Sequence, residues 1–162
     1  MLSLRLDKNS NEEDKIIFFA ETGTTNIQTT LKNFSFDAKV TGGNLQDKFA
    51  EYKSYINKFN DQGLNLIKTN LESLATNNED SIAAIQKRNN NYLKRKYLFA
   101  TNFAINNGDL ELAPYIAISE LYDAKISLLD TINKSLTPEV KASKYGKQLQ
   151  DFIDNIKKDS LY

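Results

Sequence analysis

Lys87-Arg88 and Lys94-Arg95-Lys96 form the densest charge cluster of the chain, with Tyr92 and Tyr97 set among them. Cations of this kind contact a phosphate backbone or carboxylates, and interleaved rings stack on bases. The spacing therefore suits a single-stranded nucleic acid or an acidic partner. On a helix, however, Lys87, Lys94 and Arg95 share an outward face, which by itself reads as a solvated surface. Lys87, Arg88, Lys94, Arg95, Lys96 and Tyr97 are the candidate partner surface.

Three further groupings touch on chemistry. Glu111, Glu120 and Asp123 lie near one another around a short helical segment, and paired carboxylates can hold a divalent cation or cleave a glycoside. No spacing fixes their separation, so they read as surface acids. Asp7 to Asp14 is rich in Asp, Asn and Glu but lacks the central glycine and terminal glutamate of a calcium loop, and it reads as a polar hairpin turn. Gly42-Gly43 precedes a helix without the lysine and hydroxyl of a phosphate loop, so the pair reads as a backbone turn. The chain contains no cysteine and no histidine. That removes thiol nucleophiles, disulfides, thiolate metal sites and imidazole acid–base chemistry together. No catalytic residue, metal ligand or cofactor is expected.

The elements that would carry these residues follow from composition and period. With 162 residues, 40% hydrophobic and 26% charged, the chain has the make-up of a globular protein of one domain, or of one domain with a small appendage. Lys plus Arg number 21, as do Asp plus Glu. The overall balance lacks the basic excess that non-specific nucleic-acid binding draws on. No apolar run approaches the roughly 20 residues that span a bilayer.

The first forty residues follow a period of two, and later ones follow a helical period. Leu2, Leu4 and Leu6 alternate with polar residues, unlike the continuous apolar block of a leader. The chain thus reads as beginning inside a strand, with Met1 an artificial or misplaced start and earlier strands missing. Lys15–Glu21 and Thr24–Thr30 follow as strands, and Phe34, Phe36, Ala38 and Val40 alternate as a fourth, half-buried one. Beyond Thr41-Gly42-Gly43, Leu45, Phe49, Tyr52, Ile56 and Phe59 recur at helical spacing, with Asn44 as N-cap. Past Gly63, which could bend the helix or permit close packing, the stripe resumes one position over as Leu64, Ile67, Leu71 and Leu74. One helix of about 30 residues, ending at Thr76-Asn77-Asn78, fits both stripes.

A second helix starts near Asn78–Ser81 and ends before Gly108, its buried side drawn from Ile82, Ile85, Tyr92, Leu93, Phe99, Ala100 and Phe103. Shorter helices cover Leu112–Leu121 and Asp123–Leu136. Thr137-Pro138-Glu139 starts a last helix that runs to about Lys158, with Val140, Leu149, Phe152 and Ile156 inward. The expected class is α+β: a small antiparallel β-sheet at residues 1–42, then a bundle of about five α-helices at 43–162, packed as one unit.

The order of these pieces resembles a known arrangement. Ile16-Ile17-Phe18-Phe19-Ala20-Glu21-Thr22-Gly23 is similar to a hydrophobic-Phe-x-Glu-x-Gly strand, and Val40-Thr41-Gly42-Gly43-Asn44 is similar to the turn that leads into a long helix. Both occur in an uncharacterised domain that precedes the thioredoxin-like domain of bacterial TlpA/ResA-type thiol–disulfide oxidoreductases. Leu112–Ile116 and Ser143–Leu149 resemble later helical segments of that domain. The resemblance implies a non-catalytic accessory domain in the periplasm or cell envelope. Its partners would be proteins: a thioredoxin-like domain, a second copy in a homodimer, or a client. The family's Cys-x-x-Cys has no counterpart here, so no catalytic role carries over. Two other readings compete: a stand-alone carboxylate-dependent hydrolase or metal-binding protein, and, more weakly, nucleic-acid binding through the Lys87–Lys96 face.

Overall fold

A computed structural model of the chain describes residues 1–7, 14–74 and 79–159. The fold is α+β, with four short strands followed by helices: β1 Leu2–Arg5, β2 Lys15–Phe18, β3 Asn26–Gln28, β4 Lys39–Thr41, α1 Asn44–Leu74, α2 Glu79–Asn106, α3 Leu112–Glu120, α4 Ile126–Ser135, α5 Pro138–Ala142 and α6 Lys144–Asp159. The segment 8–13 expected as a polar turn, and the helix end expected at Thr76-Asn77-Asn78, lie outside the described residues. The chain divides into two compact units, Met1–Ser54 and Tyr55–Tyr162, and α1 contributes to both.

In the first unit the strands form two separate antiparallel pairs, β1 with β2 and β3 with β4, instead of one sheet. Two-stranded pairs are marginal alone and depend on a helix for burial. Here Ile16 and Phe19 are buried with Phe49 and Tyr52 of α1, and the Phe19 and Phe49 rings meet edge-on at 5.1 Å. The join between strand and helix is polar. Glu21 Oε2 accepts the Leu45 N–H at 2.8 Å, and the Phe19 N–H donates to the buried Gln46 Oε1 at 2.8 Å. A carboxylate from the connection after β2 thus serves the unsatisfied amides and positive dipole end of α1. Asn44, expected as the N-cap, is instead the first helical residue. Gly43, at φ +95°, lies so close to Glu21 that a Cβ there would collide with the carboxylate.

The expected fourth strand is corrected. Residues 32–36 form a turn, Phe36 is 90% exposed, and only Lys39–Thr41 pairs. Local hydrogen bonds outcompete the alternation of Phe34 and Phe36. Thr29 Oγ1 donates to the Phe34 carbonyl, Asn33 N–H donates to Thr30 Oγ1 at 3.3 Å, and Thr30 Oγ1 donates to Asp37 Oδ2 at 2.6 Å. Threonine, asparagine and aspartate offer the backbone these alternatives to a ladder.

In the second unit the core is built by α2 to α6. Ala100 and Ala104 of α2 let α3 approach closely, and Leu112, Ile116, Leu129, Ile132, Leu149 and Ile153 are fully buried. α6 packs on α3, α4 and α5. The expected last helix is two helices, because Ser143 is extended at φ −68°, ψ 171°. Its N–H donates to the Val140 carbonyl at 3.1 Å, and its Oγ accepts the Gly146 N–H at 3.2 Å. One residue thereby closes α5 and caps α6. The start of α5 follows the sequence signal, with Thr137 Oγ1 accepting from the Val140 N–H at 3.4 Å ahead of Pro138.

Gly146 is where this break meets hard backbone. A Cβ there would collide with the Val140 carbonyl and come within 2.7 Å of Lys141 Cα. Gly146→Ala should lower stability by about 2 kcal/mol, the usual size of overpacking, despite alanine's better helix propensity. The midpoint of urea unfolding measures this, and an unchanged or higher midpoint would show that α5 and α6 do not meet so tightly.

Candidate functional site

The candidate cations sit on α2 opposite the second half of α1. Near the core the two helices share aromatic rings: Tyr55 and Phe59 each lie 5.5 Å from Phe99, which lies 6.1 Å from Phe103. Farther out the contacts turn polar. Tyr92 Oη donates to the Phe59 carbonyl at 3.0 Å, and Asn70 Nδ2 donates to Asn89 Oδ1 at 3.0 Å. Gly63 makes room for the phenol, since a Cβ there would stand 2.7 Å from Tyr92 Oη. Gly63, Leu66 and Asn70, spaced by three and four, are half-buried on the line facing α2.

That setting overturns part of the expected stripe. Leu64, Ile67 and Leu71 are 66%, 58% and 64% exposed, because each stands one residue past the facing line and so about 100° around the helix. Ile82 and Leu93 of α2, also expected inward, are each 41% exposed. Leu64, Ile67 and Leu93 line an open groove of about 480 Å³ together with Asn60, Gly63 and Asn89. The opposite groove of the same helix pair, about 420 Å³, is lined by Gln62, Asn65 and Thr69 of α1 and Arg88, Asn91 and Arg95 of α2.

The six candidate residues are therefore not one patch. Arg88 and Arg95 line the polar groove. Lys94 and Tyr97 line a third groove of about 640 Å³ with Leu98, Asp123, Lys125 and Leu128. Lys96 turns toward other partners, with Nζ 3.4 Å from Asn60 Oδ1 and 3.3 Å from Glu120 Oε2. Lys87 is exposed and lines none of these grooves. Gln62, Asn65 and Thr69 were not singled out from the sequence. Their spacing by three and four marks one polar face of α1, a signal that gains meaning only once its neighbour is known.

The carboxylates considered for catalysis go to separate partners. Glu120 pairs with Lys96, and Asp123 accepts the Tyr97 phenol at 2.7 Å. Glu111 is felt electrostatically by Tyr145, whose phenol is raised first by burial and then by that charge. Among the described residues no three acids gather as a metal would require, and no helix is long and apolar enough to cross a membrane. Compared with protein-family models, curated proteins and solved structures, the chain matches none.

Burial, then the hydrogen bond to Asp123 and its charge, push the Tyr97 phenol up to about 12. Because the folded value lies above the ordinary 10, stability from this pair is complete below pH 10 and is lost as pH rises through 12. Ultraviolet titration of the protein minus that of Tyr97→Phe should isolate one phenol ionising near pH 12. Asp123→Asn should bring it back toward the ordinary range. A Tyr97 phenol that already titrates as an ordinary tyrosine contradicts the pairing.

Proposed function

We propose that this chain is a non-catalytic protein-interaction domain whose contact surface is the outer half of the α1–α2 helix pair. One observation carries the reading: a row of large apolar side chains, Leu64, Ile67 and Leu71, is exposed beside the line facing α2, with Leu93 across the groove from it. Contiguous exposed apolar surface of this kind marks sites of association. The acids of the chain support the same reading in another way, since two of the three weighed for hydrolysis, Glu120 and Asp123, are engaged with Lys96 and Tyr97. The resemblance of the Ile16–Gly23 and Val40–Asn44 segments adds the class of partner. It points to a thioredoxin-like domain or its client in the periplasm or cell envelope, which this domain positions.

Photo-crosslinking tests the reading without knowledge of the partner. A benzophenone side chain replacing Ile67, in the protein expressed in cells of its source organism, should yield a defined protein adduct. The same group replacing the exposed Lys134 should yield none. Equal adducts from both positions, or none from Ile67, would overturn it.

A further inference from the structure

We infer that the groove between Arg88 and Arg95 receives an acidic helix of a partner protein, its carboxylates repeating every seven residues. The inference rests on the interaction-domain reading and names the recognition chemistry on the face opposite the apolar row. The chain has three arginines, Arg5, Arg88 and Arg95, and two of them line this one groove. Both are exposed, and neither engages a hydrogen bond or ion pair among the described residues. No carboxylate lines the groove, whose other polar groups are the neutral side chains of Gln62, Asn65, Thr69, Asn91 and Tyr92, the last bonded to the Phe59 carbonyl. Glu72, one turn beyond Thr69, pairs with neither arginine. Guanidinium groups present planar pairs of donors that match carboxylates, so two unsatisfied ones in one groove define what is missing from it.

Spacing selects the form of the ligand. Arg88 and Arg95 are seven residues apart on one helix, hence about 10.5 Å along its axis and nearly in line. A second helix laid along the groove repeats a side chain on one line with the same period, so glutamates at i and i+7 meet both cations. An extended strand repeats its same-face side chains at about 6.6 or 13 Å and matches less well. The trough between two packed helices is also the surface on which a third helix seats its ridges. No described helix of this chain carries acids at i and i+7, and the proposed ligand is a helix of a partner protein.

The test uses fluorescence anisotropy of the whole chain with labelled peptides of about 20 residues, long enough to hold helix. One peptide carries glutamate at every seventh position of an Ala/Gln background, and a second carries as many at every fifth. The first should bind at least about tenfold tighter than the second, a difference of about 1.4 kcal/mol. Its affinity should fall as salt rises. Arg88→Gln/Arg95→Gln should abolish the preference while leaving helicity by circular dichroism unchanged, because both positions are exposed and glutamine is a good helix former. Equal binding of the two peptides, no binding of either, or tighter retention of a single-stranded oligonucleotide would each overturn the inference. In those cases an adduct from position 67 would still stand, which separates failure of this groove from failure of the interaction-domain reading.

Discussion

A phenol seated on a backbone carbonyl sets the geometry of the outer helix pair. Tyr92 reaches the Phe59 carbonyl across Gly63, and that contact fixes the rotation of α1 about its own axis. With Gly63 on the facing line, Leu66 and Asn70 follow it, and Leu64, Ile67 and Leu71 turn outward. A neutral hydrogen bond of this sort contributes only about 1 kcal/mol. Its weight comes from selection between two settings of one helix. The alternative would bury three large apolar side chains and leave the phenol and the Asn70–Asn89 amides to find other partners.

Such a setting gives up burial that isolated helix pairs normally rely on. On the proposed reading, the apolar row withheld from α2 is the surface that meets another molecule. The two sides of the pair then differ in chemistry. One is apolar, with Leu64, Ile67 and Leu93, and the other is polar and cationic, with Arg88 and Arg95 above Gln62 and Asn65. The difference depends on the rotation of α1, since turning it by one residue would bring Leu64, Ile67 and Leu71 onto the line facing α2. The aromatic contacts of Tyr55, Phe59, Phe99 and Phe103 hold the inner end of the pair and leave the outer end to these polar links.

What could be read in advance was local or buried. The Phe49, Tyr52 and Ile56 spacing identified an inward face because those residues enter cores. Thr137-Pro138 announced α5 because an N-cap and a proline at N1 act within one turn. The Leu64, Ile67 and Leu71 row carries the same periodicity, yet period says only that apolar residues share a line, not which way that line points. Direction was decided by Tyr92, between twenty and thirty residues away on α2, and by the absence of a side chain at Gly63. Phe34 and Phe36 misled for a related reason. Their alternation is that of a strand, but the neighbouring Thr29, Thr30 and Asp37 close a turn first. Glu21 as the cap of α1 was hidden in sequence by a separation of 24 positions. The arginine groove was half visible: its cations stood out on α2, while the polar residues of α1 that complete it did not.

The absence of native cysteine makes the rotation of α1 directly measurable. Single variants Leu64→Cys, Leu66→Cys and Ile67→Cys can be reacted with a maleimide under native conditions, each compared with its own unfolded chain. Thiols at 64 and 67 should react nearly as fast as in the unfolded state, and the thiol at 66 should be several-fold slower. Fast reaction at 66 with protection at 64 and 67 would mean that the apolar row faces α2 after all, and the contact surface proposed for this protein would not exist.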